Sequence, residues 1–337
     1  MKKLISILLS MCILLGMLSG CSINTDSYIE PSDKISVIAT IFAPYDFIRE
    51  IAGDFAEVTM LLPPGTESHS YEPTPQDIIK IQNCDVFVYV GGDSDSWVQK
   101  ILESMDTSGI RIITLMDCVE VVEEEIVEGM EVGAESHDNE HNHEEAEENN
   151  EHNNEHTEDN NHEYDEHVWT SPQNAKVIVQ KISDILCEAD TYNSNSYKEN
   201  TTAYLAKLND LDSKFQEVVN SAKHKTLIFG DRFPFRYFAE VYGLEYFAAF
   251  PGCSTETEAS AATVAFLIDK VKAESIPVVF HAELSNKKMA NTISEETGAK
   301  VLLLHACHNI TKDEMENGVS YLELMYQNVE NLKEALK

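Results

Sequence analysis

From residue 35 onward the chain alternates short runs rich in β-branched and aromatic residues with stretches whose apolar positions recur at helical spacing. No other feature constrains the fold as much. Parallel strands cannot be joined by a tight turn; they need a crossover long enough to hold a helix. The first half offers strands near 35–41, 56–62, 85–90 and 111–114, with helices near 45–52, 75–82 and 96–103 between them. Thr74 followed by Pro75 suits the cap and first turn of the second helix. The second half repeats this grammar without an internal sequence repeat. Its strands fall near 226–229, 245–248, 278–280 and 301–304, and its helices near 234–241, 256–272, 287–296 and 312–336. Residues 171–223 are helical throughout, with a break expected near 190–196. The expected fold is α/β: two Rossmann-like (βα)4 lobes, 35–170 and 224–337, joined by a long rigid backbone helix over 171–223. Such a pair of lobes leaves a cleft between them, where ligands prefer to bind.

The alternation breaks between Glu120 and Glu166, which hold 20 Asp and Glu and no Lys or Arg. The whole chain carries 59 acidic and 24 basic residues, a net charge of −35, so this one segment supplies more than half of the excess. A chain this acidic does not neutralise a phosphate backbone, which excludes nucleic acid as a partner. Residues 133–163 are too polar to offset their own ordering entropy, and a disordered surface loop is expected there. Six of the 12 histidines lie in it: His137, His141, His143, His152, His156 and His162. Imidazoles among carboxylates make an adaptable trap for divalent transition metals, binding several ions weakly.

The N-terminus reads Met1-Lys2-Lys3, then an apolar run from 4 to 18, then Ser19-Gly20-Cys21. The run has the length of a signal-peptide core. Leu18-Ser19-Gly20-Cys21 resembles the lipobox of bacterial lipoproteins. That resemblance implies removal of residues 1–20, acylation at Cys21, and a polar tether over 21–34. Acyl chains would hold so acidic a protein at the cell membrane, on its extracytoplasmic side. Cys84, Cys118, Cys187, Cys253 and Cys307 remain, an odd number in a compartment where disulfides persist.

Three histidines outside the loop stand where open α/β sheets place ligand groups, beyond strand ends. His69 lies in the run Pro63-Pro64-Gly65 to Pro75, after a strand and before a helix. His167 closes the acidic segment in Asp165-Glu166-His167-Val168-Trp169, with a carboxylate at hand to orient its ring. His305 follows the strand near 301–304, and His308, three residues on, is its rival. His281 and Glu283 read as neighbours of a site rather than ligands, and His224 as a cation at a helix end.

The residues quoted so far, with Tyr71, Pro73, Ser171 and Pro172, and with the later patterns Tyr237-Phe238, Tyr242-Gly243-Leu244 and Thr297-Gly298-Ala299-Lys300, are similar to a known family. The chain resembles the zinc and manganese substrate-binding lipoproteins of bacterial ABC importers over about residues 35–337, and the His-rich loop suggests the zinc branch. The resemblance implies that His69 and His167 are the first two metal ligands. It implies that His305 occupies the place of a metal-binding Asp, and that Cys253 and Cys307 form a disulfide. The family's third His has no counterpart. The region reads Phe229-Gly230-Asp231-Arg232-Phe233, and its His place falls on Gly230 or on Arg232. The expected set is therefore His69, His167 and His305, completed by a water or by Asp231.

The function so implied is capture of Zn2+ as transported ligand, and its delivery to an ABC permease, by a monomeric receptor that is not an enzyme. A manganese receptor of the same class and a surface zinc buffer acting through the loop are the alternatives. A zinc hydrolase would need a general base, and no HExxH run is present.

Overall fold

The computed structural model describes residues 34–67, 71–131, 164–254 and 258–337. The signal sequence and tether, Cys21, His69 and the six loop histidines lie outside the described residues.

The first sheet is built from β1 (Ile35–Ala39), β2 (Ala56–Met60), β3 (Val86–Tyr89) and β4 (Arg111–Thr114). All its neighbours are parallel, in the order β2-β1-β3-β4. Its crossovers carry α1 (Phe42–Ala52), α2 (Pro75–Gln82) and α3 (Ser96–Ser104). The start of α2 is fixed by a reciprocal cap: Thr74 Oγ1 accepts from Asp77 N, and Asp77 Oδ2 accepts from Thr74 N at 3.1 Å.

The second sheet has the same winding without a shared sequence. It contains β5 (Thr226–Phe233), β6 (Glu245–Pro251), β7 (Val278–His281) and β8 (Lys300–Leu303), all parallel, in the order β6-β5-β7-β8. Helices α6 (Arg236–Tyr242), α7 (Ala261–Glu274) and α8 (Lys288–Thr297) serve its crossovers. β5 runs four residues beyond its expected end. Its pairing with β6 shifts register between Phe229 and Arg232, and the bulge leaves Gly230 and Asp231 out of the regular ladder.

The helical span over 171–223 parts within the break expected near 190–196, giving α4 (Pro172–Ala189) and the 27-residue α5 (Ser194–Asn220), packed against each other. Ser171 caps α4 by accepting from Asn174 N. Asp190 ends it and ties the connection, taking Asn193 Nδ2 at 2.6 Å and the Tyr197 hydroxyl at 2.7 Å. The stretch expected as one helix over 312–336 is split. α9 (Lys312–Glu316) stops before Gly318, whose φ of 69° no helix allows, and α10 (Tyr321–Ala335) starts afresh from a Ser320 cap.

Strand alternation sorts each sheet into two faces. Val37, Ala39, Val86 and Val88 face a central core, while Ile38 and Phe87 face α2 and α3. Leu227, Phe229 and Phe280 face the same central core, while Ile228 and Val279 face α7 and α8. One continuous core thus joins both sheets through α1, α4, α5 and α10. The last helix belongs to this centre: Tyr321 N donates to Asp46 Oδ2 at 2.8 Å, and its ring meets Phe47 edge-on at 4.8 Å.

Candidate metal centre

Both sheets reverse their winding between their two middle strands, and crevices open at the C-terminal ends of such strands. In the second sheet that point holds Asp231 and Arg232 in the last part of β5, and Ala282 and Glu283 after β7. A cavity of about 90 Å3 lies there, closed from the other side by Thr66, Glu67 and His167, and floored by Ala306, His308 and Asn309. Organic ligands of ordinary size take about 300 Å3 or more. This cavity suits an ion with a few waters.

His167 is fully buried on the short helical turn before α4. Asp165 Oδ1 accepts its backbone N–H at 2.8 Å and lies 3.2 Å from Nδ1. A proton held on Nδ1 by this carboxylate leaves the ring's lone pair on Nε2, the orientation a metal requires. Burial pushes the ring's pKa down, but Asp165, its hydrogen bond, Glu166 and Glu124 outweigh that and hold it above the usual imidazole range. Glu166 is itself buried, which raises its pKa, and it accepts Ser94 N at 2.8 Å. Gly252 borders this pair. A Cβ there would lie 3.2 Å from His167 Cε1 and from Asp165 Oδ2, and 2.9 Å from Phe233 O.

His308, not His305, stands beside His167. Their rings meet edge-on with centroids 5.4 Å apart, and Trp169 packs against both, 5.5 Å from His167 and 5.0 Å from His308. Trp169 Nε1 donates to Ala306 O at 2.7 Å, so the segment carrying His167 is bonded to the turn carrying His308. His308 N donates to Glu283 Oε1 at 2.9 Å and its carbonyl accepts Phe42 N at 3.0 Å. Asn309 reaches the first lobe, donating to Pro63 O and Thr66 O at 2.9 and 2.8 Å.

His305 is turned away from the cavity. Its Nδ1 accepts Cys307 N at 2.9 Å, and its backbone N–H and C=O both bond the Asn328 side-chain amide at 2.8 Å. These bonds make it a brace of the turn, and it is not among the residues that line the cavity. The Cys253–Cys307 bridge is corrected: both are free thiols. Cys307 is fully buried at φ 57°, beside Glu283 and Asp46, whereas Cys253 lies beside Asp165 and Glu124.

Asp231 lines the cavity, with Oδ1 accepting Arg232 N at 2.9 Å and Oδ2 accepting Ala282 N at 3.3 Å. Arg232 crosses the cavity mouth to Glu67 at 2.9 Å. Gly230, one of the two places for the family's third His, has no room for a side chain: a Cβ there would come within 2.6 Å of the Ala290 backbone in α8. His281 is buried at the end of β7, its Nδ1 against Ala282 O at 2.7 Å. Among the described residues no three His, Cys, Asp or Glu side chains form a metal-holding group. Described neighbours flank His69 on both sides: Glu67 lines the cavity, and Tyr71 lines an adjoining crevice that shares His308.

Sequence reasoning passed over Gly252 and Asn309, and gave Glu283 no more than a neighbour's place. None of the three sits in a local pattern that marks a site.

Two parallel four-stranded lobes, a long helix through a shared core and a small polar cavity between the lobes define a solute receptor of the two-lobed α/β class. The chain belongs to the family described as zinc-uptake complex component A, periplasmic, whose model matches residues 37–335. It is 32% identical to the high-affinity zinc uptake system protein ZnuA of Bacillus subtilis, over 96% of this chain and 95% of that protein. It is 31% identical to the zinc-binding lipoprotein AdcA of Streptococcus pneumoniae over 99% of this chain, but spans only 61% of that relative's length. Among solved structures, the Zn(II)-bound ZnuA-like domain of S. pneumoniae AdcA superimposes with a TM-score of 0.69 at 28% identity, covering 90% of this chain and 99% of that one. The metal-dependent lipoprotein YcdH of B. subtilis gives 0.71 at 29%, over 90% and 99%.

Proposed function

We propose that this protein captures Zn2+ in the interlobe cavity and delivers it to the permease of an ABC importer, making and breaking no bond. The metal is held by His69, His167 and His308, with a water in the fourth position. The observation that carries this reading is the edge-on pair of His167 and His308 in a cavity of ionic size, with Asp165 orienting one ring. A three-imidazole set favours zinc over manganese, which prefers carboxylate and water oxygens. His69 completes the set because the residues on both sides of it border the cavity and the crevice that share His308. Asp231 stays in the wall, its oxygens bonded to backbone N–H groups.

The protein acts as a monomer, anchored through Cys21 to the cell membrane on its extracytoplasmic side. The histidines at 137, 141, 143, 152, 156 and 162 gather metal at the surface at lower affinity. Among the described residues no helix is long and apolar enough to cross a membrane.

Competition titration with Zn2+ and Mn2+, on chains with and without residues 133–163, tests this reading. Tight one-to-one zinc binding in both, abolished by His69→Ala and His308→Ala, is expected. Tight binding that vanishes with the loop would move the function there, and a preference for Mn2+ would change the cargo.

A further inference from the structure

His308 stands at the end of a turn whose shape its own four residues do not explain. Cys307 adopts φ 57°, a left-handed conformation unfavourable for a residue with a β-carbon. Around it the backbone N–H groups of Ala306 and His308 converge on one carboxylate. Glu283 Oε2 accepts Ala306 N at 2.7 Å, and Oε1 accepts His308 N at 2.9 Å. The N–H between them, of Cys307, goes to His305 Nδ1 at 2.9 Å. Successive N–H groups around a left-handed residue form a concavity suited to an anion. Here the anion is a side chain from the end of β7, itself only 9% exposed.

We propose that Glu283 is the positioning residue for His308: by filling this concavity it holds the turn that presents the His308 imidazole opposite His167. Glu283 belongs to the wall of the cavity but acts through the backbone of the turn. Charge-assisted bonds are about twice as strong as neutral ones, and two on one buried carboxylate offset the strain at Cys307. His305 serves the same turn. Its Nδ1 must keep its lone pair to accept Cys307 N–H, so a proton on that atom would break the brace.

This inference rests on the reading of His308 as a zinc ligand, and a double-mutant cycle separates the two. Zinc affinity is measured by chelator competition on the full chain for Glu283→Gln, His308→Ala and the double variant, with Co2+ absorption as a reporter of ligand geometry. Gln presents one acceptor where two N–H groups need one each, so Glu283→Gln is expected to lose roughly 10- to 100-fold in affinity and to alter the Co2+ spectrum. The double variant is expected to bind no more weakly than His308→Ala alone. Native affinity and spectrum in Glu283→Gln would overturn the proposal, as would losses that multiply in the double variant. Native affinity in His308→Ala would instead remove the ligand reading, and the proposal with it. If Glu283→Gln does not fold by circular dichroism, Glu283→Asp enters the same cycle with the same expected order.

Discussion

His167 and His308 lie 141 positions apart in sequence and meet edge-on at 5.4 Å, with an interplanar angle of 85°. Trp169 wedges against both rings and bonds the Ala306 carbonyl. The pair is therefore tied to the central core through Trp169 and Ala306. His308→Ala should weaken zinc binding by at least 100-fold while leaving the melting temperature of the metal-free protein within a few degrees. His305→Ala should lower that temperature through loss of the Cys307 brace, and weaken zinc binding by less than His308→Ala does. Competition titration and thermal melting of both variants would decide, and equal effects on affinity would remove the distinction.

Trp169→Phe keeps most of the buried ring but leaves the Ala306 carbonyl without its indole donor. An unsatisfied buried polar group costs about 1–3 kcal/mol. Urea unfolding should show a loss in that range, with a parallel fall in zinc affinity. Unchanged affinity at reduced stability would mean that the indole supports the fold alone.

Burial pushes the Asp46 carboxyl up to about 7, and the Tyr321 N–H and Arg49 offset only part of that. In the unfolded chain the group returns to about 3.9. The folded protein thus keeps a proton that the unfolded chain releases. Its stabilising contribution is full below about pH 4 and is lost as pH rises through about 7. Asp46→Asn keeps an acceptor for Tyr321 N without the charge. Its melting temperature relative to the parent should improve from pH 5 to about pH 7 and level off above that. A constant difference across that range would contradict the assignment.

Gly230→Ala should destabilise by about 1–3 kcal/mol through overpacking against the Ala290 backbone. Arg232→His should fold normally, since Arg232 faces the cavity. Denaturant midpoints of the two variants provide the check, and an unaffected Gly230→Ala would show that α8 gives way.

Cys253 and Cys307 carry free thiols in different surroundings. Alkylation of the denatured, unreduced protein followed by peptide mass spectrometry should find both modified. Recovery of a cross-linked peptide containing the two would restore the bridge.

Much of the fold was legible because its signals are local. The alternation of strands and helices follows from side-chain periodicity, and the cap at Thr74 from one residue bonding a backbone N–H three positions on. The same local reading failed where distant residues intervene. β5 runs on because its bulge still pairs with β6. The stretch from 312 to 336 divides, and its last helix starts where Tyr321 N meets Asp46 Oδ2 from the first lobe.

The sequence alone determined two α/β halves around a helical centre, the acidic His-rich interruption, and His167 beside a carboxylate that can orient it. It also determined that a histidine follows the last strand. Only the tertiary structure decided which one lines the cavity. His305 and His308 are three residues apart and equally plausible in the linear chain. Glu283, Asn328 and the Trp169 indole arrive from elsewhere, fold the turn around a left-handed Cys307, and aim one imidazole inward and the other at its partner. The direction of a side chain at a strand's end is set by the groups that satisfy the backbone around it, and here those groups lie 23 or more residues from the backbone N–H they bond.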